Sequence, residues 1–289
     1  SLGFVWDGGG AYAPSPGLDY NGPERFRRLR RATAADGSTQ RSTPDDANLV
    51  LASVIDEVGN EARAEIDHHV VAPWRVTDPN GTVEEVQRDA LGVVRRRTRH
   101  GTVLDGDGAE VPHGFGTIAR SAPPSLAIAL ADPLAALADQ GAHHAYAFGA
   151  APGEPLITLE VVAEQFVNRG PDPGDAPERA LVVVTYHDGF GQALQERTRV
   201  EDGDAWGERG GAWVEAPSAD RWRASGYVER DAKLRPVAVY EPFFVDGSRY
   251  DAALERRRVG VACVTTYDAL DRPVREAQPN ETFADTRFT

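Results

Sequence analysis

The sequence predicts a mainly β protein of stacked antiparallel β-hairpins with one short helical insertion. Three observations carry this prediction. Extended β-branched runs, such as the LVVVTY of Leu181–Tyr186, sit between polar turns. The 29 glycines and 20 prolines cluster in those turns, where they punctuate the chain. Five times an extended run leads into an aspartate-centred turn and a second extended run, a recurrence that marks a repeat architecture.

The opening third is rich in turn signals, at Gly8–Gly10, Pro14–Gly17 and Asn21–Pro23. From Arg25 to Arg31 the alternation around Phe26 and Leu29 predicts a strand with solvated arginines; the stretch is too short for a nucleic-acid arm. The repeat units follow. Ala52–Ile55 leads into the turn at Asp56 and Gly59, and Val83–Arg88 into Asp89 and Gly92. Thr185–His187 leads into Asp188 and Gly191, Tyr227–Arg230 into Asp231, and Val264–Tyr267 into Asp268. Each aspartate can cap its turn, and a glycine three residues on supplies the positive φ that recloses the hairpin. Further turns are expected at Asp78-Pro79-Asn80-Gly81 and Gln278-Pro279-Asn280-Glu281. Spacings of 33 residues (Asp56 to Asp89) and 37 (Asp231 to Asp268) are too irregular for a propeller but suit successive hairpins.

One segment breaks the β pattern. Asp132 as N-cap, Pro133 as N1 and Gly141 as C′ residue predict a short helix, with Leu134 and Leu137 (and Leu130) facing a sheet. Asn168–Glu178 reads as a surface loop. The expected organisation is a first hairpin array over 1–115, a helix-containing connection and loop over 116–180, and a second array over 181–289. The start at Ser1-Leu2-Gly3 and the lack of any methionine read as a piece of something longer.

Composition excludes several functions. With 31 basic against 45 acidic residues, the net charge of −14 repels nucleic acid and anionic membranes. No stretch approaches the roughly 20 apolar residues of a membrane span, so no direct membrane insertion is expected. Lys233 is the sole lysine. The single Cys263, in an apolar run, reads as a buried inert thiol.

No catalytic, cofactor or metal residue is assigned. The pairs His68-His69 and His143-His144 place neighbouring side chains on opposite strand faces, a poor start for one metal. The same argument separates Glu84 from Glu85 as an acid/base pair. Asp105–Glu110 resembles half a calcium loop but lacks the distant bidentate glutamate, and reads as a hairpin tip. There is no nucleophile elbow and no phosphate loop. Trp74, Trp206, Trp213 and Trp222 lie near turns, where packing between hairpins is the expected use. Tyr186, Phe190, Trp222, Tyr240, Phe243 and Tyr267 are the expected packing aromatics.

In this order, YHDGFG (Tyr186–Gly191), Arg221-Trp222 with Ser225-Gly226, YEPFF (Tyr240–Phe244) and YDALDR (Tyr267–Arg272) resemble the B component of bacterial insecticidal toxin complexes. WRVTDPNG (Trp74–Gly81), DALG (Asp89–Gly92) and the ending Phe283–Thr289 fit the same family, so the resemblance covers about residues 50–289. Three positions depart from the family pattern. Leu234 and Asp271 stand where the repeat turn has glycine, and His187 stands where a small hydroxyl residue is common. Those two hairpins are therefore expected to reclose by another turn type.

The resemblance implies a wall segment of a hollow Tyr-Asp-repeat (Rhs-type) shell, non-enzymatic and secreted as part of a toxin complex. Implied partners are the rest of the B component, the C component, an encapsulated effector polypeptide and, indirectly, the A-component translocation pore. No cofactor is implied. A carbohydrate- or cell-surface-binding Tyr-Asp-repeat module is the rival reading, which exposed coplanar tryptophans would favour. An apolar fraction of 41% suits a sheet whose inner face stays wet.

Overall fold

The computed structural model describes residues 4–6, 12–14, 17–23, 28–149, 153–169 and 177–288. The turns expected at Gly8–Gly10 and Pro171–Asp175 lie outside the described residues, as do Arg25 and Phe26. The chain divides into two compact units. The first comprises Ser1–Pro123, Leu134–His143 and Val162–Ala180; the second comprises Pro124–Pro133, His144–Val161 and Leu181–Thr289.

In the first unit β1 (Phe4–Trp6) and β2 (Tyr12–Pro14) form a small antiparallel ribbon. A nine-strand antiparallel meander follows. It opens with β3 (Gly17–Tyr20), β4 (Leu29–Thr33), β5 (Thr39–Pro44), β6 (Leu51–Asp56) and β7 (Glu61–Asp67). It continues with β8 (Ala72–Thr77), β9 (Val83–Arg88), β10 (Val94–Leu104) and β11 (Glu110–Gly114). From β6 to β11 consecutive strands pair because the turns between them are too short to do anything but fold the chain back on itself.

Burial is uneven. From Leu29 to Thr77 Asp45 alone is fully buried among the described residues, so β4–β8 carry no dry face. Burial begins at β9, where Val83 and Glu85 are covered while Glu84 between them is exposed. That alternation follows from the period of two along a strand.

The helical insertion is two short helices, α1 (Leu126–Ala131) and α2 (Pro133–Leu137). Pro133 opens α2 as expected, but the left-handed residue at its end is Ala138 (φ 54), not Gly141. Gly141 is small for a different reason: a Cβ there would stand 2.9 Å from the Phe115 ring. Leu137 is fully buried, whereas Leu134 is only partly covered. After the helices come β12 (Ala142–Ala147), β13 (Leu156–Ala163) and β14 (Asn168–Arg169). Asn168 and Arg169, expected in a loop, pair instead with Gly114 and His113 of β11.

The second unit carries two groups of strands. One contains β15 (Ala180–His187), β16 (Ala193–Arg199), β17 (Gly203–Arg209), β18 (Ala212–Ser218) and β19 (Arg221–Ala224). The other opens with β20 (Val228–Arg230) and β21 (Pro236–Tyr240). β22 (Phe243–Asp246) returns to the first group beside β19, and α3 (Leu254–Arg257) follows it. β23 (Ala262–Tyr267), β24 (Pro273–Ala277) and β25 (Phe283–Asp285) complete a five-strand antiparallel sheet with β20 and β21. In β15 Val182, Val184 and Tyr186 are buried and the residues between them are not, so this strand packs on one face.

Candidate functional site

The feature that recurs through both units is one turn, built seven times among the described residues. Its aspartates are Asp56, Asp78, Asp89, Asp105, Asp188, Asp231 and Asp268. In each, one carboxylate oxygen accepts the N–H groups two and four residues ahead, at 2.8–3.1 Å. The aspartate N–H donates to the carbonyl four residues on, and its own carbonyl accepts the N–H three residues on. This is a type I turn closed by a left-handed residue, the three-residue hairpin loop with a bulge. The side chain satisfies backbone donors that the tight loop cannot pair within the ladder.

The left-handed position is glycine in five of the seven turns: Gly59, Gly81, Gly92, Gly108 and Gly191, with φ between 80° and 95°. Leu234 (φ 63) and Asp271 (φ 66) take the same place in the other two, so the turn type is kept and the expected change is corrected. Both exceptions share a compensating feature, an arginine four residues after the aspartate. The Nε of Arg235 donates to Oδ2 of Asp231 at 2.7 Å, and that of Arg272 to Oδ2 of Asp268 at 2.8 Å. Each carboxylate thereby uses both oxygens to hold a loop that a side chain at positive φ strains. The arginine hydrogen bond is foremost in depressing the Asp231 carboxyl below its ordinary range. For Asp268 the backbone N–H of Arg272 is foremost, followed by burial, which opposes it, and the guanidinium.

Other departures are also absorbed locally. His187 Nε2 lies 2.9 Å from the Thr158 hydroxyl, and its Nδ1 lies 3.3 Å from the carbonyl of Gly191 in the adjoining turn. Asp45 anchors a turn one residue longer, accepting the N–H groups of Leu49 and Val50 with Asn48 left-handed. Its second oxygen meets Nε2 of His68 at 2.7 Å. The Val50 N–H first, then His68, hold this carboxyl down at about 2.

The expected packing aromatics divide. Trp222 is fully buried and donates from Nε1 to Asp220 Oδ1 at 2.8 Å. Phe243 is buried; so is Tyr186, whose hydroxyl donates to the Ser248 carbonyl. Tyr240 donates to Glu229 at 3.0 Å, and Tyr267 lies under the Arg235 guanidinium, 4.6 Å from its ring centre. Phe190 is the correction: at 93% exposed it stands out from its turn and packs on little, because the residue two after the aspartate is the loop's apex. Cys263 is likewise only half-buried, since β23 leaves that face partly open. Trp206 and Trp213 stack on each other, 6.4 Å between centroids, and do not form an open coplanar platform.

The residues weighed for chemistry do not converge. Glu84 is exposed, while Glu85 accepts the Ile118 N–H at 2.7 Å and lies 3.4 Å from Arg75. His69 meets the Ala90 carbonyl, and His143 is fully buried. Asp105 is occupied by its own turn. Among the described residues no group of three or more His, Cys, Asp or Glu is arranged to hold a metal ion. Sequence reasoning did not recognise Asp78 and Asp105 as members of the repeat. Their Asp-x-x-Gly spacing was the available signal.

The geometry defines a class: a scaffold of turn-anchored hairpins. The fold is the Tc toxin shell fold. A crystal structure of TcdB2-TccC3 is similar over 96% of this chain, at 24% identity and a TM-score of 0.79, and the match spans 13% of that chain. A structure of the Photorhabdus luminescens Tc holotoxin pore is similar over 100% of this chain at 20% identity and a TM-score of 0.78, spanning 16% of that chain. No family model and no curated protein matches the sequence. Among the described residues no helix is long and apolar enough to cross a membrane.

Proposed function

We propose that the chain is a non-enzymatic wall segment of a toxin-complex shell that encloses a cytotoxic effector polypeptide before translocation. The likeness of 96% of this chain to TcdB2-TccC3, at a TM-score of 0.79, is the observation that carries the reading. The partly wet strands β4–β8 support it, because a wall around a solvated cargo has no dry core to fill on its inner side. In this reading hairpin arrays over 1–115 and 181–289 form the wall, and 116–180 connects them. Its neighbours are the rest of a B component and a C component, released outside the cell with the complex. The enclosing activity belongs to the larger assembly, since this chain spans about a seventh of the chains it matches.

The test is protease protection. The full-length protein containing this chain is purified with its C component and digested lightly. The effector segment is expected to survive while the shell is folded and to be cut once the shell is unfolded. An effector cut equally fast in the folded complex and alone overturns the proposal.

A further inference from the structure

In the first unit Arg30 and Arg31 of β4 and Arg41 of β5 line a depression of about 460 Å³, together with Asp19, Ser42 and Thr43. Arg31 and Arg41 stand directly opposite each other in the β4–β5 ladder, so their side chains leave one face about 5 Å apart at their roots. Like charges so placed are destabilising. Elsewhere the ladders match opposite charges. Arg75 lies between Glu65 and Glu85, Arg99 faces Glu84, Arg221 faces Asp246 and Arg275 faces Asp285. Asp19 lies across from Arg31 on β3, but among the described residues neither it nor the three arginines form an ion pair. Carboxylates on neighbouring elements are engaged: Asp36 accepts from Ser38, Glu57 accepts the Thr39 N–H at 3.3 Å, and Glu61 pairs with Arg63 at 2.7 Å.

Three guanidiniums against one carboxylate leave a surplus of two positive charges in one concavity of an otherwise acidic chain. A phosphoryl group matches that surplus. It carries a charge of about −1.5 to −2 near pH 7, and its three oxygens accept from planar guanidinium forks. The Thr43 hydroxyl adds a donor at the same place. The volume suits a small molecule, and the net charge of −14 repels a long polyanion at range. We propose that this depression binds the phosphoryl group of a small phosphate, with Arg31 and Arg41 as its principal ligands and Arg30 adding charge. The bound dianion offsets the repulsion between the two facing arginines, which the ladder itself does not relieve. The inference does not depend on the shell reading.

The test titrates the full chain by calorimetry with N-acetyl-O-phosphoserine amide, the carboxylate N-acetyl-glutamate amide and inorganic phosphate, all at constant ionic strength. Saturable binding of the phosphoserine derivative is expected, tighter than that of the glutamate derivative. Arg31→Gln and Arg41→Gln should each weaken it about tenfold, the scale of one charge-assisted hydrogen bond. Asp19→Asn should tighten it about two- to threefold, because a competing carboxylate is gone. Arg63→Gln, which removes an arginine already engaged by Glu61, should leave it unchanged. All four side chains are exposed, so the variants should fold, and far-ultraviolet circular dichroism checks this. Inorganic phosphate binding as tightly as the derivative assigns recognition to the phosphoryl group alone, and tighter binding of the derivative assigns it to an ester. No saturable binding, equal affinity for the glutamate derivative, or Arg31→Gln and Arg41→Gln binding as tightly as Arg63→Gln overturns the proposal.

Discussion

Lys233 Nζ lies 2.6 Å from Oδ1 of Asp271, joining the tips of two neighbouring hairpins. Arg235 reaches the same oxygen from the same turn. The two turns linked in this way are the two of the seven repeated turns that lack glycine, so their strained residues sit within one network of charges. Because the lysine and the aspartate are both about half exposed, salt screens the link, and hydrogen bonding inside each turn is the steadier support.

The strain at Leu234 gives a prediction of unusual sign. Leu234→Gly should stabilise the chain by about 0.5–1 kcal/mol, since it relieves a left-handed leucine that is 70% exposed. Gly191→Leu, at the corresponding place in an unbraced turn, should destabilise by about 1–2 kcal/mol. Urea midpoints of the two variants measure both. A destabilised Leu234→Gly would show that the leucine side chain does more than occupy the loop.

Acid should act through Asp45. Its folded pKa, about 2, is below the unfolded value of about 3.9, so its contribution is fully present above pH 4 and is lost as pH falls towards 2. Asp45→Asn should therefore be less stable than the parent at pH 6, with the difference shrinking between pH 4 and 2. Urea unfolding at several pH values checks this; a difference independent of pH would contradict it.

Trp222 anchors the packing between β19 and its neighbours. Trp222→Ala should destabilise by about 3–5 kcal/mol, the usual range for a fully buried aromatic. Trp222→Phe keeps most of the volume but leaves Asp220 without the indole donor, and should fall well short of that loss. Denaturation followed by far-ultraviolet circular dichroism compares the two.

Close backbone approach separates two glycines. A Cβ on Gly226 would overlap the Tyr240 carbonyl oxygen, where only backbone movement can make room, whereas Gly189 has open space. Gly226→Ala should yield little folded protein and Gly189→Ala should change stability by no more than about 0.5 kcal/mol. Soluble yield and thermal midpoint are the measurements.

The sequence by itself determined the hairpins and their turns. An aspartate, the N–H groups two and four residues ahead and a left-handed residue three ahead all lie within five residues, so the turn is a local property and its spacing is legible. Why Leu234 and Asp271 keep the glycine turn was less visible, because it needed the Arg235 and Arg272 side chains to fold back onto Asp231 and Asp268. Tertiary structure alone decided what joins distant strands. His68 finds Asp45 across 23 residues, Glu85 finds the Ile118 N–H across 33, and Arg197 finds the Gly247 carbonyl across 50. It also decided burial: Glu85 and Arg197 are covered while Phe190 is bare, the reverse of what their polarity suggests. Local hydrogen bonding is written in neighbouring residues, whereas burial and ion pairing depend on which strands the whole chain brings side by side.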